Sequence, residues 1–139
     1  MIKYHFKYHK YGQFYRPVIP ITLKNGDKIF KYLALIDSWA DQNIFHSNLT
    51  KILGIDIKKL KPYFFSGIKK DSDAKGFLGI VEIGVEDIFF DAPIIFSDDI
   101  SDNGYGIVGQ YGFFSHFKIK MNYQDKDIEL KFINFKDSY

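Results

Sequence analysis

Cysteine is absent from this chain. Without a thiol there is no disulfide framework, no cysteine-ligated zinc or iron–sulfur centre and no cysteine nucleophile, and redox chemistry gives no reason to expect export. Long apolar runs are missing as well. Runs such as residues 33–36 and 94–96 fall far short of the roughly 20 residues that span a bilayer, and residues 1–15 are interrupted by Lys and His where a signal peptide would carry an apolar core. A soluble, cytoplasmic protein with no membrane partner is expected. Neither sign of charge is in excess, with 19 Lys plus Arg against 17 Asp plus Glu, so a polyanion-binding tail is not indicated. Tryptophan and arginine each occur once, at Trp39 and Arg16.

What is abundant is aromatic. Fifteen Phe and ten Tyr, alongside many Ile, supply side chains that favour a pleated sheet. A chain of 139 residues buries about 70% of its unfolded surface, enough for one core without a metal or a disulfide. No linker, repeat or low-complexity tract interrupts it, so residues 1–139 read as a single domain.

Residues 2–8 alternate, Ile2, Tyr4, Phe6 and Tyr8 against Lys3, His5 and Lys7, which is the period of a half-buried or edge strand. Apolar runs at 18–23 and 29–36 flank Asn25-Gly26, a strong hairpin signal. Ser47 and Gly54 bracket a helix of about two turns, after which Ile55 and Ile57 read as extended chain. Phe64, Phe65, Ser66, Gly67 and Ile68 on one side, and Gly76, Phe77, Leu78 and Gly79 on the other, flank a polar tip at 69–75, the pattern of a long, glycine-softened hairpin or flap. Two further hairpins are expected, 78–83 with 88–96 and 117–123 with 128–135. Strands at this spacing predict an all-β sandwich or barrel.

The sharpest local feature is Leu33-Ala34-Leu35-Ile36-Asp37-Ser38-Trp39-Ala40-Asp41, an apolar strand that delivers a carboxylate into a turn of small residues. Taken alone, Asp37 is accounted for as a turn cap bonding its own backbone two residues on. In its wider setting the chain resembles the retropepsin-like aspartic proteases, whose mark is a hydrophobic strand followed by Asp-Thr/Ser-Gly-Ala, often with a further Asp. The match holds at every place but Trp39. Ile107-Val108-Gly109 is similar to the family's later hydrophobic-hydrophobic-Gly element, Gly112-Phe113-Phe114-Ser115-His116-Phe117 to the aromatic turn after it, and Arg16-Pro17-Val18 to an upstream Arg-Pro strand. Gln110 stands where retroviral members usually carry Arg. The likeness runs from about Tyr15 to Ile119.

The resemblance implies an acid-protease barrel with a flap hairpin and one or two short helices, following Asp41 and Gly109. It implies a homodimer acting on a peptide or protein substrate without metal or cofactor, in which Asp37 pairs with Asp37 of a second copy. Two carboxylates about 3 Å apart share a proton, one activating water and the other protonating the peptide carbonyl. Ser38 would bond across the two-fold axis, Arg16 would pair with Asp41, and Ser66, Gly67, Ile68, Gly76 and Phe77 would belong to the closing flap. Trp39 departs from the pattern, because the family places Gly there to keep the loop tight and its N–H directed at the catalytic carboxylate. An indole there implies a shifted loop, an occupied cleft or a dimer that does not close, and with any of these an impaired enzyme. The alternative is a non-catalytic peptide-binding or dimerisation module on the same fold, a pseudoprotease.

Other chemistry is less well supported. His5 and His9 lack the Glu of a helical zinc site, and Asp98, Asp99, Asp102 and Asn103 lack calcium-loop spacing and read as a polar connection. Ser38 with His46 or His116 lacks a nucleophile elbow. Lys3, Lys7, Lys10 and Arg16 interleave with aromatics as in a nucleic-acid surface, but the mild net charge of +2 and the plain strand alternation account for them without such a partner.

Overall fold

The computed structural model describes residues 2–65, 73–102 and 104–133. The N-terminal alternation becomes strand β1 (Lys3–Lys7), which pairs antiparallel with β12 (Asp127–Phe132); β12 in turn forms a hairpin with β11 (Phe117–Asn122), making a three-stranded sheet. Strands β2 (His9–Tyr11) and β3 (Phe14–Arg16) pair only with each other.

The rest of the chain closes on itself. Strands β4 (Val18–Asn25), β5 (Lys28–Ile36), β6 (Asn43–His46), β8 (Ala74–Val85), β9 (Ile88–Ser97) and β10 (Gly106–Val108) lie in the order β4-β5-β10-β6-β9-β8. β8 returns to β4 through Thr22 opposite Gly84, Leu23 opposite Ile83 and Lys24 opposite Glu82. The result is a closed barrel of six strands, which leaves no free edge in that ring. β7 (Lys61–Phe65) pairs with the other half of β8, from Lys61 opposite Leu78 to Phe65 opposite Ala74. The expected long hairpin is therefore present. Gly76 and Phe77 lie on its β8 arm, and Ser66, Gly67 and Ile68 fall outside the described residues.

Period-two alternation divides the central strands between two faces. Phe45, Ile94, Phe96 and Val108 point into the main core with Ile19, Leu23, Ile83, Phe113, Phe117, Ile128 and Leu130, so the three-stranded sheet shares its core with the barrel. Their neighbours Ile44, Ile95 and Ile107 form a second apolar cluster with Ile100, Tyr63, Phe65 and Leu78 on the opposite face. No helix among the described residues is long and apolar enough to cross a membrane.

Several local readings change. The β4–β5 turn is centred on Gly26-Asp27, with Asn25 paired to Lys28 and only Gly26 at positive φ, +62°, because glycine takes the first central place. Helix α1 (Asn48–Ile52) ends as expected, with Gly54 at φ +66° donating to Lys51 O and Ile55 N donating to Thr50 O. Its start differs: Ser47 makes no side-chain cap, its hydroxyl donating to Asp98 instead, and His46 Nδ1 accepts from Asn48 N at 3.1 Å. Ile57–Lys59 is a 3-10 turn, not extended chain, because the Asp56 carboxylate accepts from Lys58 N at 3.1 Å. The helix expected after Gly109 is a single 3-10 turn, Phe114–His116, since buried Phe113 and Phe117 anchor both sides and β11 begins at once. β6 has no counterpart in the sequence reading; four residues, three of them buried, carry no readable period.

The Tyr4 hydroxyl donates to Asp87 in the β8–β9 turn and so ties β1 to the barrel. Burial first, then the Asp87 hydrogen bond and charge, push its pKa from 10.0 to about 12. A folded-state pKa above the unfolded one means that this contribution is intact below pH 10 and is lost as pH rises from about 10 through 12. Urea midpoints at pH 8 and pH 11 are expected to fall less steeply for Tyr4→Phe than for the parent chain. Equal slopes would show that the phenol does not contribute.

Candidate active site

Asp37 follows directly on β5, and its backbone N–H donates to Val108 O at 3.1 Å, so the carboxylate is delivered where β5 and β10 run side by side. β10 pairs parallel with β5 (Ile107 opposite Leu35) and antiparallel with β6 (Ile107 opposite Ile44), lying between the two strands joined by residues 37–42. The loop is then bonded across that gap: Ala40 O accepts from Gln110 N at 2.9 Å, Asp41 O from Tyr111 N at 2.9 Å, and Ser38 O from Gln110 Nε2 at 2.6 Å. Gln110 therefore spans to the active-site loop by a neutral hydrogen bond where an arginine was the family expectation.

Two residues hold this crossing tight. A Cβ on Gly109 would stand 2.5 Å from Ala40 O and 2.6 Å from Gln42 O, both backbone atoms, so only glycine fits without a shift. Asn43 is fully buried; its Oδ1 accepts from Gly109 N at 2.9 Å and its Nδ2 donates to Pro93 O at 3.1 Å, which joins β6, β9 and the end of β10 through one amide. Sequence reasoning missed Asn43. Its one available signal was a polar Asn two residues after Asp41, before the apolar pair Ile44-Phe45.

Trp39 meets the carboxylate through its backbone. Its φ is not positive, its N–H donates to Asp37 Oδ1 at 2.9 Å, and Ala40 N donates to Asp37 O at 3.1 Å. The same bond serves as the turn cap and as the orientation of the acid, so the two readings of Asp37 describe one geometry. Among the described residues Asp37 Oδ2 accepts no hydrogen bond. The indole is 93% exposed. Of the consequences expected from it, the side chain does stand at the cleft.

That cleft has a volume of about 590 Å³. Its floor is the second apolar cluster, Ile44, Ile95 and Ile107, and its walls are Asp37, Trp39 and Asp41 on one side and Tyr63, Phe64, Phe65 and Asp73 of the β7–β8 hairpin on the other. Asp37, Trp39, Ala40 and Asp41 are thus brought together with the hairpin; Ser38 is exposed at the loop tip. Tyr63 and Asp73 were not singled out by the sequence reading, because their relation to Asp37 exists only across the barrel.

The remaining candidates lie elsewhere. Arg16 and Asp41 form no ion pair within the chain; the guanidinium lies 5.9 Å from the Phe14 ring, at the end of β3 opposite His9. His116 is buried with its ring 4.2 Å from that of Phe90, and His46 serves α1, so neither supports Ser38 as a nucleophile. No group of metal-ligating side chains occurs among the described residues. Asp98, Asp99 and Asp102 accept from Ser47 Oγ, Lys75 N and Asn48 Nδ2 and tie the loop to its neighbours.

Asn43→Ala removes both bonds and strands a buried N–H and a carbonyl, and is expected to cost about 2–4 kcal/mol. Gly109→Ala, forced against two carbonyl oxygens, is expected to cost about 1–3 kcal/mol. Denaturant midpoints at constant slope measure both. A loss below 0.5 kcal/mol in either, roughly the scatter of neutral surface changes, would show that the crossing is not tight.

No protein-family model matches the chain, and a search of curated proteins returned no match. Solved structures do match. A retropepsin-like aspartic protease from Rickettsia conorii superposes with a TM-score of 0.64 at 13% identity over 94% of this chain and 92% of that one. The EIAV protease, determined with an inhibitor, superposes with a TM-score of 0.50 at 18% identity over 73% of this chain and 88% of that one. With the carboxylate-bearing loop, the glycine crossing and the barrel all in place, the fold of this chain is that of the retropepsin-like aspartic proteases.

Proposed function

We propose that the chain is one half of a homodimeric aspartic endopeptidase whose turnover is limited by Trp39. The observation that carries this reading is Asp37 itself: its carboxylate opens on the cleft at the head of β5, one oxygen held by the Trp39 N–H and the other without a hydrogen bond from the described residues, in a fold shared with named proteases. One carboxylate cannot both activate water and protonate a carbonyl, so the chemistry requires Asp37 of a second copy on a two-fold axis. As like charges in contact the pair holds one proton. The ionised member takes a proton from water as it attacks the peptide carbon, and the protonated member gives its proton to the carbonyl oxygen. An extended peptide would lie along the cleft between the Asp37 loop and the β7–β8 hairpin, whose paired strands would close over it as a flap. The compartment expected for such a protein remains the cytoplasm.

An indole standing free beside Asp37 takes up space that substrate would use, and this favours, as a second reading, a protein that holds peptide without cutting it. The two are separated by cleavage of a peptide library from pH 4 to 7. The enzyme reading expects Trp39→Gly to raise kcat/KM at least about tenfold, equivalent to about 1.4 kcal/mol of recovered transition-state binding. It also expects Asp37→Asn in that background to abolish cutting, and sedimentation to show a dimer. A Trp39→Gly protein that dimerises and cleaves nothing would leave the binding module.

A further inference from the structure

We infer that the cleft beside Asp37 selects a positively charged side chain, Lys or Arg, of the peptide it holds. Two independent features of one cavity lead there. The first is aromatic: Trp39 is 93% and Phe64 64% exposed, and both border the same concavity as Tyr63. A single exposed ring is ordinary, whereas an open indole at the border of a cavity that other aromatic residues also line offers apolar surface to an occupant. The second is charge. Asp37, Asp41 and Asp73 line the cleft, and no Lys or Arg does among the described residues.

These features favour a cation over an apolar or an acidic side chain. An apolar residue would cover the rings but leave the negative charge of the cleft without a counter-charge. An acidic residue would be repelled. A Lys or Arg satisfies both demands at once: its methylene stem lies on the ring faces and its cationic head reaches the carboxylates, with cation–π attraction from the indole added. That the ligand is a peptide rests on the reading proposed above; the preference for a cation rests on the cleft lining alone.

Trp39 is the sole tryptophan, so its fluorescence reports the cleft directly. The full chain is titrated at neutral pH with three peptides identical except at one central position, carrying Lys, acetyl-lysine or norleucine, and the titrations are repeated with Asp37→Asn so that cleavage does not intervene. Lys is expected to bind about tenfold more tightly than norleucine or acetyl-lysine, as one cation–π contact with a solvated ion pair supplies, and the margin should shrink as salt rises. Combined Asp41→Asn and Asp73→Asn is expected to lower the ratio several-fold, with Asp37 and the indole left to supply what remains.

Norleucine bound as tightly as Lys by the unsubstituted chain overturns the inference without recourse to any variant, and so does the absence of binding by all three peptides at millimolar concentration. A Lys preference that persists unchanged in the double variant overturns the assignment to these carboxylates. Because the score is a ratio of affinities, it is separable from the protease reading: Lys selection without cleavage or dimer retains this inference and rejects the enzyme, and cleavage by a dimer indifferent to Lys does the reverse.

Discussion

The architecture turns on a three-residue strand lying between two others. β10 takes hydrogen bonds from β5 on one side and β6 on the other, and the loop that joins those two strands must pass over its end. At that crossing, backbone meets backbone with no room for a Cβ, and the groups that would be orphaned there are paired: Gly109 N by Asn43, Gln110 N by Ala40 O, Tyr111 N by Asp41 O. Leaving any of them unpaired inside the protein costs about 1–3 kcal/mol. The loop bearing Asp37 is therefore held as an extension of the sheet, not as a mobile connection.

The same strands serve stability and site through their two faces. Phe45, Phe96 and Val108 pack into the core, while the residues beside them, Ile44, Ile95 and Ile107, floor the cleft. A shift of register by one residue in β6, β9 or β10 would exchange the two sets. The barrel's closure through β4 and β8 opposes such a slip, because every strand in the ring would have to move together. Trp39 then contributes in two ways. Its backbone orients the acid as any residue with negative φ could, and its indole adds an aromatic wall to a cleft that already carries three carboxylates.

Much of this was legible in the chain before any fold was known. The hairpins were, because turn residues such as Gly26 act over a few positions, and so was the end of α1, where Gly54 adopts the left-handed conformation that terminates it. Asp37, at the head of an apolar strand, was legible as both turn cap and candidate acid. The start of α1 was not, since Ser47 found a partner in Asp98, about fifty positions away. Nor was β6, too short to show a period and buried only because β9 and β10 flank it.

Sequence alone determined a sheet-rich chain without thiol chemistry or an apolar run of helix-spanning length, and a carboxylate delivered by a strand into a tight turn. These are properties of composition, alternation and local backbone preference, which act within a few residues. Tertiary structure alone decided that Asn43 would bridge Gly109 to Pro93, that Arg16 would lie over Phe14, and that Tyr63, Phe64 and Asp73 would line one cleft with Trp39. Each of those relations joins positions far apart in the chain. Such contacts exist only once the barrel has closed, since closure is what brings the strands' ends to one side.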